Sequence, residues 1–230
     1  MSVKRVAGID RAAALDLIGT ACALHTQRLT VANSGNVSLR YENGFLITPS
    51  GVLYEQLTPQ DIVHVGLKEG DSANVLAGHR APSSEWRFHR DIYLARPDVS
   101  AIVHTHSHFC SALACLRREI PAFHYMVAKA GGDSIRCSDY ATFGTQALSD
   151  AVVKALQDRR ACLMANHGMV ALGSSLQSAL LMAQEVESLA GQYCEALKLG
   201  QPVLLDAEEM VRVARQFEGY GQQASDKPKA

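Results

Sequence analysis

The chain has 230 residues, with 22 Lys and Arg against 23 Asp and Glu and a net charge of −1, a balance that gives no basic surface for nucleic acid or an anionic membrane. This length predicts one domain with a sizeable core rather than two small ones. The apolar runs are too short and interrupted for a membrane-spanning helix, Met1-Ser2-Val3-Lys4-Arg5 lacks the apolar core of a signal peptide, and six scattered cysteines form no Cys-x-x-Cys pair, so a cytoplasmic protein with free thiols is expected.

Ala13, Leu17, Ala21 and Leu24 recur at helical spacing and predict a helix over about 9–29, with Asp10 as its N-cap. Strand-like runs follow at 36–41 and 45–48, and the Glu42-Asn43-Gly44 link between them is a hairpin signal. Asn33-Ser34-Gly35-Asn36 precedes this hairpin and Thr48-Pro49-Ser50-Gly51 follows it, so the two loops should be neighbours. Small, hydroxyl and amide residues with glycine give backbone N–H groups that can cradle an anion, although plain turns use the same residues. A strand is expected at 62–66 and a turn at 68–71. Pro82-Ser83-Ser84-Glu85 then opens a helix marked by Trp86, His89, Ile92, Tyr93 and Arg96 and stopped by Pro97. A helix start with two hydroxyls is a ready phosphate site. Glu85 admits two readings: a carboxylate favoured by the helix dipole, or a group carried back by one helix to the strand that follows.

That strand, residues 99–106, contains Ile102-Val103-His104-Thr105-His106. On a strand, His104 and His106 share a face, roughly 6–7 Å apart at Cα; on a helix they would diverge by about 200°. Two adjacent imidazoles suit a divalent metal, most often zinc, which needs a further ligand from elsewhere. His167 is the candidate, because it follows the buried-strand run 161–165 and precedes Gly168. Three histidines with an open fourth position describe a catalytic site better than a structural one; the alternative is a polar edge to a strand.

Further on, a helix is expected at 107–116, extended chain at 120–126, and a helix at 145–156 starting near Thr145 or Ser149. A strand at 169–172 precedes a long helix capped by Ser174 or Ser175 and ended by Gly200, and a last helix spans 206–217. The mixture, with its hairpin, predicts an α/β protein of the α+β type. A single domain over 1–218 would carry a predominantly antiparallel central sheet covered by helices on both faces, followed by a flexible tail at 219–230.

In this order, Ser34-Gly35-Asn36-Val37-Ser38, Ile47-Thr48-Pro49-Ser50-Gly51, Pro82-Ser83-Ser84-Glu85-Trp86-Arg87-Phe88-His89, Val103-His104-Thr105-His106 and Asn166-His167-Gly168 resemble the class II aldolase/adducin family over nearly the whole chain. Ile120-Pro121-Ala122-Phe123-His124-Tyr125-Met126, Tyr140-Ala141-Thr142-Phe143-Gly144-Thr145 and Gly219-Tyr220-Gly221 are similar to its fuculose-phosphate branch. The resemblance implies the class II aldolase fold and one Zn2+ per subunit on His104, His106 and His167, with Glu85 at the metal as the proton-transfer group. It implies that Asn36, Ser50, Gly51, Ser83 and Ser84 bind the substrate phosphate. It also implies a homotetramer with interfacial active sites, in which Tyr125 serves catalytically in the neighbour's site and Phe143 and Tyr220 help close it. Two departures are Ser50, where threonine is common, and Asn33-Ser34, where Thr-Ala occurs in similar relatives.

The implied reaction is zinc-dependent, reversible cleavage of a ketose 1-phosphate, L-fuculose 1-phosphate first, to dihydroxyacetone phosphate and an aldehyde (L-lactaldehyde). Alternatives are 5-deoxyribulose or 5-(methylthio)ribulose 1-phosphate as substrate, a sugar-phosphate dehydratase or epimerase on the same scaffold, and an adducin-like interaction module. The last predicts lost ligands, whereas all three histidines and Glu85 are present.

Overall fold

A computed structural model describes residues 5–218 apart from Ala32 and Glu69; the tail at 219–230, with Tyr220, lies outside the described residues. A short antiparallel ribbon, β1 (Arg5–Val6) with β2 (Ile9–Asp10), leads into α1 (Arg11–Thr26). The Asp10 carboxylate caps this helix, accepting from the Ala12 N–H at 2.9 Å. The hairpin pairs β3 (Asn36–Tyr41) with β4 (Gly44–Ile47). Its two-residue turn is Glu42-Asn43, since Gly44 already pairs with Tyr41; a side chain at Gly44 would meet the Val65 carbonyl at 2.1 Å. That glycine therefore serves strand packing rather than the turn.

β5 (Val63–Gly66) and the unanticipated β6 (Val75–Ala77) extend the sheet. After α2 (Trp86–Ala95) come β7 (Ala101–Thr105) and α3 (His108–Cys115). The expected extended run at 120–126 is replaced by one bridge from Ile120 to Ile135 and a 3-10 helix at Tyr125–Ala130. Then follow β8 (Cys137–Ser138), α4 (Gln146–Ala155), β9 (Ala161–Met164), β10 (Gly168–Gly173), α5 (Leu176–Leu199) and α6 (Ala207–Glu218). Thr145 and Ser175 cap α4 and α5 with their hydroxyls.

One eight-stranded sheet runs β6-β5-β4-β3-β7-β10-β9-β8, antiparallel at every pairing except β8 with β9. Both faces are covered, as expected. Val37, Val103, Met169, Ala171 and Leu163 pack towards α1, α3, α5 and α6. Ile102, Val170, Leu172 and Cys162 face α2 and α4. Alternate residues of each central strand thus enter opposite cores, which is why these strands read as continuous apolar runs. None of the described helices is long and apolar enough to cross a membrane.

Candidate active site

The site forms where β7 ends between β3 and β10. His104 is the last-but-one residue of β7, opposite Asn36 on one side and Val170 on the other. The strand stops at Thr105, so His106 stands just beyond it and not within it as expected. His167 sits in the turn before β10, next to Asn166, whose φ of 54° is a left-handed conformation that asparagine tolerates. Two glycines permit the close approach. A side chain at Gly35 (φ 97°) would meet the His104 carbonyl at 2.5 Å, and one at Gly168 would meet the Thr105 carbonyl at 2.3 Å.

The three imidazoles converge. The His104 and His106 Nε2 atoms are 3.0 Å apart, and each ring pair of the trio has centroids 4.8 or 4.9 Å apart. The His104 Nδ1–H donates to the Met169 carbonyl at 2.9 Å, which leaves its Nε2 lone pair facing the cluster. Glu85 completes the group, with Oε2 at 3.1 Å from His104 Nε2 and Oε1 at 3.2 Å from His167 Nε2. Glu85 Oε1 is buried and has no hydrogen-bond partner. Converging imidazole lone pairs beside an under-satisfied buried carboxylate form a donor set that fits a divalent cation.

Sequence left two readings of Glu85, and the geometry separates them. It occupies the N-cap position of α2 but makes no side-chain cap bond, its carboxylate turning instead to His104 and His167. Burial lowers His106 and His167 to about 4 each, and repulsion from His104 adds to this, so both imidazoles are neutral at neutral pH, as metal binding requires. Burial alone would raise the Glu85 carboxyl. The charge of His104, its hydrogen bond, His167 and the Asn36 amide outweigh that and hold it well below the ordinary carboxylate range.

Above this cluster opens a cavity of about 400 Å³. Asn36, Ser50, Gly51, Ser83, Ser84 and Phe143, all anticipated, line it together with Glu85, His106 and His167. The hairpin brings the two loops together as expected: the Ser83 N–H donates to the Thr48 carbonyl at 3.0 Å and the Ser84 N–H to Ser50 Oγ at 3.1 Å. His104 is fully buried beneath the floor. Tyr125 lies outside this cavity, half exposed, its ring stacked with those of His124 and Phe217.

Sequence reasoning missed Tyr140 and Asn166 in the wall, and it read His89 only as a helix marker. His89 is fully buried and bonds Asn36 and Ser38 behind the site. Its position four residues after Glu85, on the same helical face, was the available signal.

Residues 16–194 match the family described as Class II Aldolase and Adducin N-terminal domain. A 5-methylthioribulose-1-phosphate/5-deoxyribulose-1-phosphate aldolase of Rhodospirillum rubrum is 50% identical over 208 residues, covering 90% of this chain and 92% of that one. An L-fuculose phosphate aldolase of Escherichia coli K12 is 44% identical over 209 residues, covering 90% and 95%. A solved structure of an L-fuculose 1-phosphate aldolase superimposes with a TM-score of 0.87 at 38% identity, covering 91% of this chain and 98% of that one. With the same fold, the same span and a histidine cluster suited to a cation, the chain belongs to the class II aldolase/adducin family, among its metal-dependent aldolases.

Proposed function

We propose that the protein reversibly cleaves a ketose 1-phosphate between C3 and C4, giving dihydroxyacetone phosphate and an aldehyde. One observation carries this reading: a single cavity joins a cation-binding cluster of His104, His106, His167 and Glu85 to a rim made of the Ser50, Ser83 and Ser84 hydroxyls and the Gly51 backbone. Such a rim at the start of α2 suits a phosphate, and Asn36 sits between the two halves. When bound, the ion, taken to be one Zn2+ per subunit, supplies Lewis acidity where negative charge develops.

The side chains supply the rest. Ser50, Gly51, Ser83 and Ser84 hold the phosphate and fix the distance from it to the reacting carbons, while Asn36, whose amide hydrogens go to Ser83 and Glu85, links that rim to the carboxylate. Glu85 gives a proton to C3 of the departing three-carbon fragment, and takes it from the same carbon in the direction of bond formation. Tyr125 exchanges the proton of the aldehyde oxygen in a neighbouring subunit's site. Its half-exposed ring outside its own cavity supports that role. Phe143 and Tyr220 close the site in a homotetramer with interfacial active sites, and we place that assembly in the cytoplasm. Residues 1–218 act as one domain and 219–230 as its tail.

Among aldehydes, one with a short apolar end fits the wall of Tyr140, Ala141 and Phe143. The 50% identity to the Rhodospirillum rubrum enzyme sets 5-deoxyribulose and 5-(methylthio)ribulose 1-phosphate beside L-fuculose 1-phosphate. Release of dihydroxyacetone phosphate from these three sugars by zinc-loaded protein, with a chelator-treated control, is the test. Rapid metal-dependent release ranks the substrates. No release from any of them would refute the aldolase reading and turn attention to dehydration or epimerisation.

A further inference from the structure

Behind Glu85 a row of polar side chains runs into the apolar layer between the sheet and α2. Asn36 Nδ2 donates to Glu85 Oε2 at 2.9 Å and to Ser83 Oγ at 3.0 Å. Asn36 Oδ1 is bonded to His89 Nε2, His89 Nδ1 to Ser38 Oγ at 2.7 Å, and Ser38 Oγ to Tyr93 OH at 2.8 Å. Asn36, Ser38, His89 and Tyr93 are each at most 2% exposed. The imidazole is enclosed by Phe88, stacked at 4.5 Å, and Phe45 at 6.4 Å.

The two elements meet in step. Asn36 and Ser38 lie on one face of β3, about 7 Å apart, while Glu85, His89 and Tyr93 recur every four residues along α2, about 6 Å apart. Asn36 thus falls between Glu85 and His89, and Ser38 between His89 and Tyr93.

The bonding directions are forced from the carboxylate end. An ionised carboxylate accepts only, so the Asn36 amide must present its NH2 to Glu85 and its oxygen to His89. His89 must then carry its proton on Nε2 and accept at Nδ1. Ser38 donates to that nitrogen and accepts from Tyr93. Burial holds His89 neutral, with a pKa of about 3, in keeping with a single tautomer. A carboxamide cannot pass a proton along as a hydroxyl or imidazole can, so Asn36 makes the row a brace and not a proton wire.

We propose that His89 is a positioning residue for the cleavage reaction: with Ser38 and Tyr93 it locks the Asn36 amide, and through it fixes the orientation of the Glu85 carboxylate at the reacting carbon. The inference rests on Glu85 acting as the proton-transfer group. A buried polar row of this kind is costly unless bonded, and Asn36, Ser38, His89 and Tyr93 are all bonded, which leaves only Glu85 Oε1 open, towards the histidine cluster.

The test compares His89→Leu, which removes both bonds, with His89→Gln, whose amide can still donate to Asn36. Metal content, thermal stability, kcat and KM are measured for each, with Glu85→Gln alongside. The expected result for His89→Leu is unchanged metal content, KM within about threefold and kcat lower by about 10- to 100-fold, with much of the loss restored in His89→Gln. A folded, metal-loaded His89→Leu enzyme with kcat within about twofold of the parent overturns the proposal. So does a Gln variant no better than Leu. If His89→Leu does not fold, Ser38→Ala, which frees the imidazole to change tautomer, must lower kcat several-fold at unchanged KM; full kcat there overturns the proposal equally. Full turnover in Glu85→Gln would remove Glu85 from the chemistry and the brace with it. An inactive Glu85→Gln beside an unimpaired His89→Leu would overturn the brace alone.

Discussion

Glu85 combines two properties that seldom coincide. It is 7% exposed, yet its carboxyl is held low by imidazoles and an amide rather than by an arginine or lysine. An arginine or lysine would hold the carboxylate in a permanent ion pair, whereas an imidazole can give up its charge and leave the carboxylate to exchange a proton with substrate. Replacement by Gln keeps the size and the bond from Asn36 but removes the basic oxygen. Glu85→Gln should therefore retain bound metal, because His104, His106 and His167 remain, while turnover falls by about 100-fold or more. Metal analysis and steady-state rates on one preparation check this. Near-parental turnover would assign the proton transfer elsewhere.

At the scale of elements, the site depends on strand ends and helix starts meeting, and α3 supplies one such joint. The Glu187 carboxylate of α5 accepts the N–H groups of Phe109 at 2.8 Å and Cys110 at 2.9 Å, satisfying the first turn of α3 from outside the helix. Because α3 begins two residues after His106, Glu187→Ala should lower stability by about 1–2 kcal/mol, seen as a reduced midpoint in thermal unfolding, and weaken metal retention with it. Elements of this kind set the limit on what sequence reveals. His104 and His106 were legible because strand alternation fixes their common face, and the phosphate loops because a hairpin joins their ends. β6 and β8, of three and two residues, were not legible: strands so short carry no alternation, and their existence depends on neighbours distant in the chain. The same holds for Glu187 and His89, each an ordinary helix residue until the register of a second element is known. The Glu42-Asn43 turn shows the converse, since the Asn-Gly signal found the hairpin but placed Gly44 one position too far into the turn.

For the whole molecule, the cavity floor and rim are built from segments far apart in sequence, so folding and site formation are one event. A cation that binds only the folded cluster must stabilise the fold, and chelation should lower the unfolding midpoint as well as abolish activity. Acid should act through a different group. Asp61 ends a 3-10 turn at Pro59–Asp61 and accepts from the Thr58 hydroxyl at 2.7 Å, the Thr58 N–H at 2.9 Å and Arg80 Nε at 2.8 Å. It thereby ties this turn to the segment leading into Ser83, Ser84 and Glu85. The Thr58 hydrogen bonds, followed by Arg80, overcome burial and lower its carboxyl to about 2, against about 3.9 in the unfolded chain. A carboxyl depressed on folding contributes stability that is fully present above the unfolded value and lost as pH falls from about 4 to about 2. Its size is about 1–2 kcal/mol, less than the whole shift converts to, because Arg80 is half exposed and screened by water. Asp61→Asn should therefore lower stability by that amount at pH 7 and flatten the decline between pH 4 and pH 2. Denaturant unfolding of parent and variant at both ends of that window checks it, and parallel declines would assign the acid sensitivity to other carboxylates.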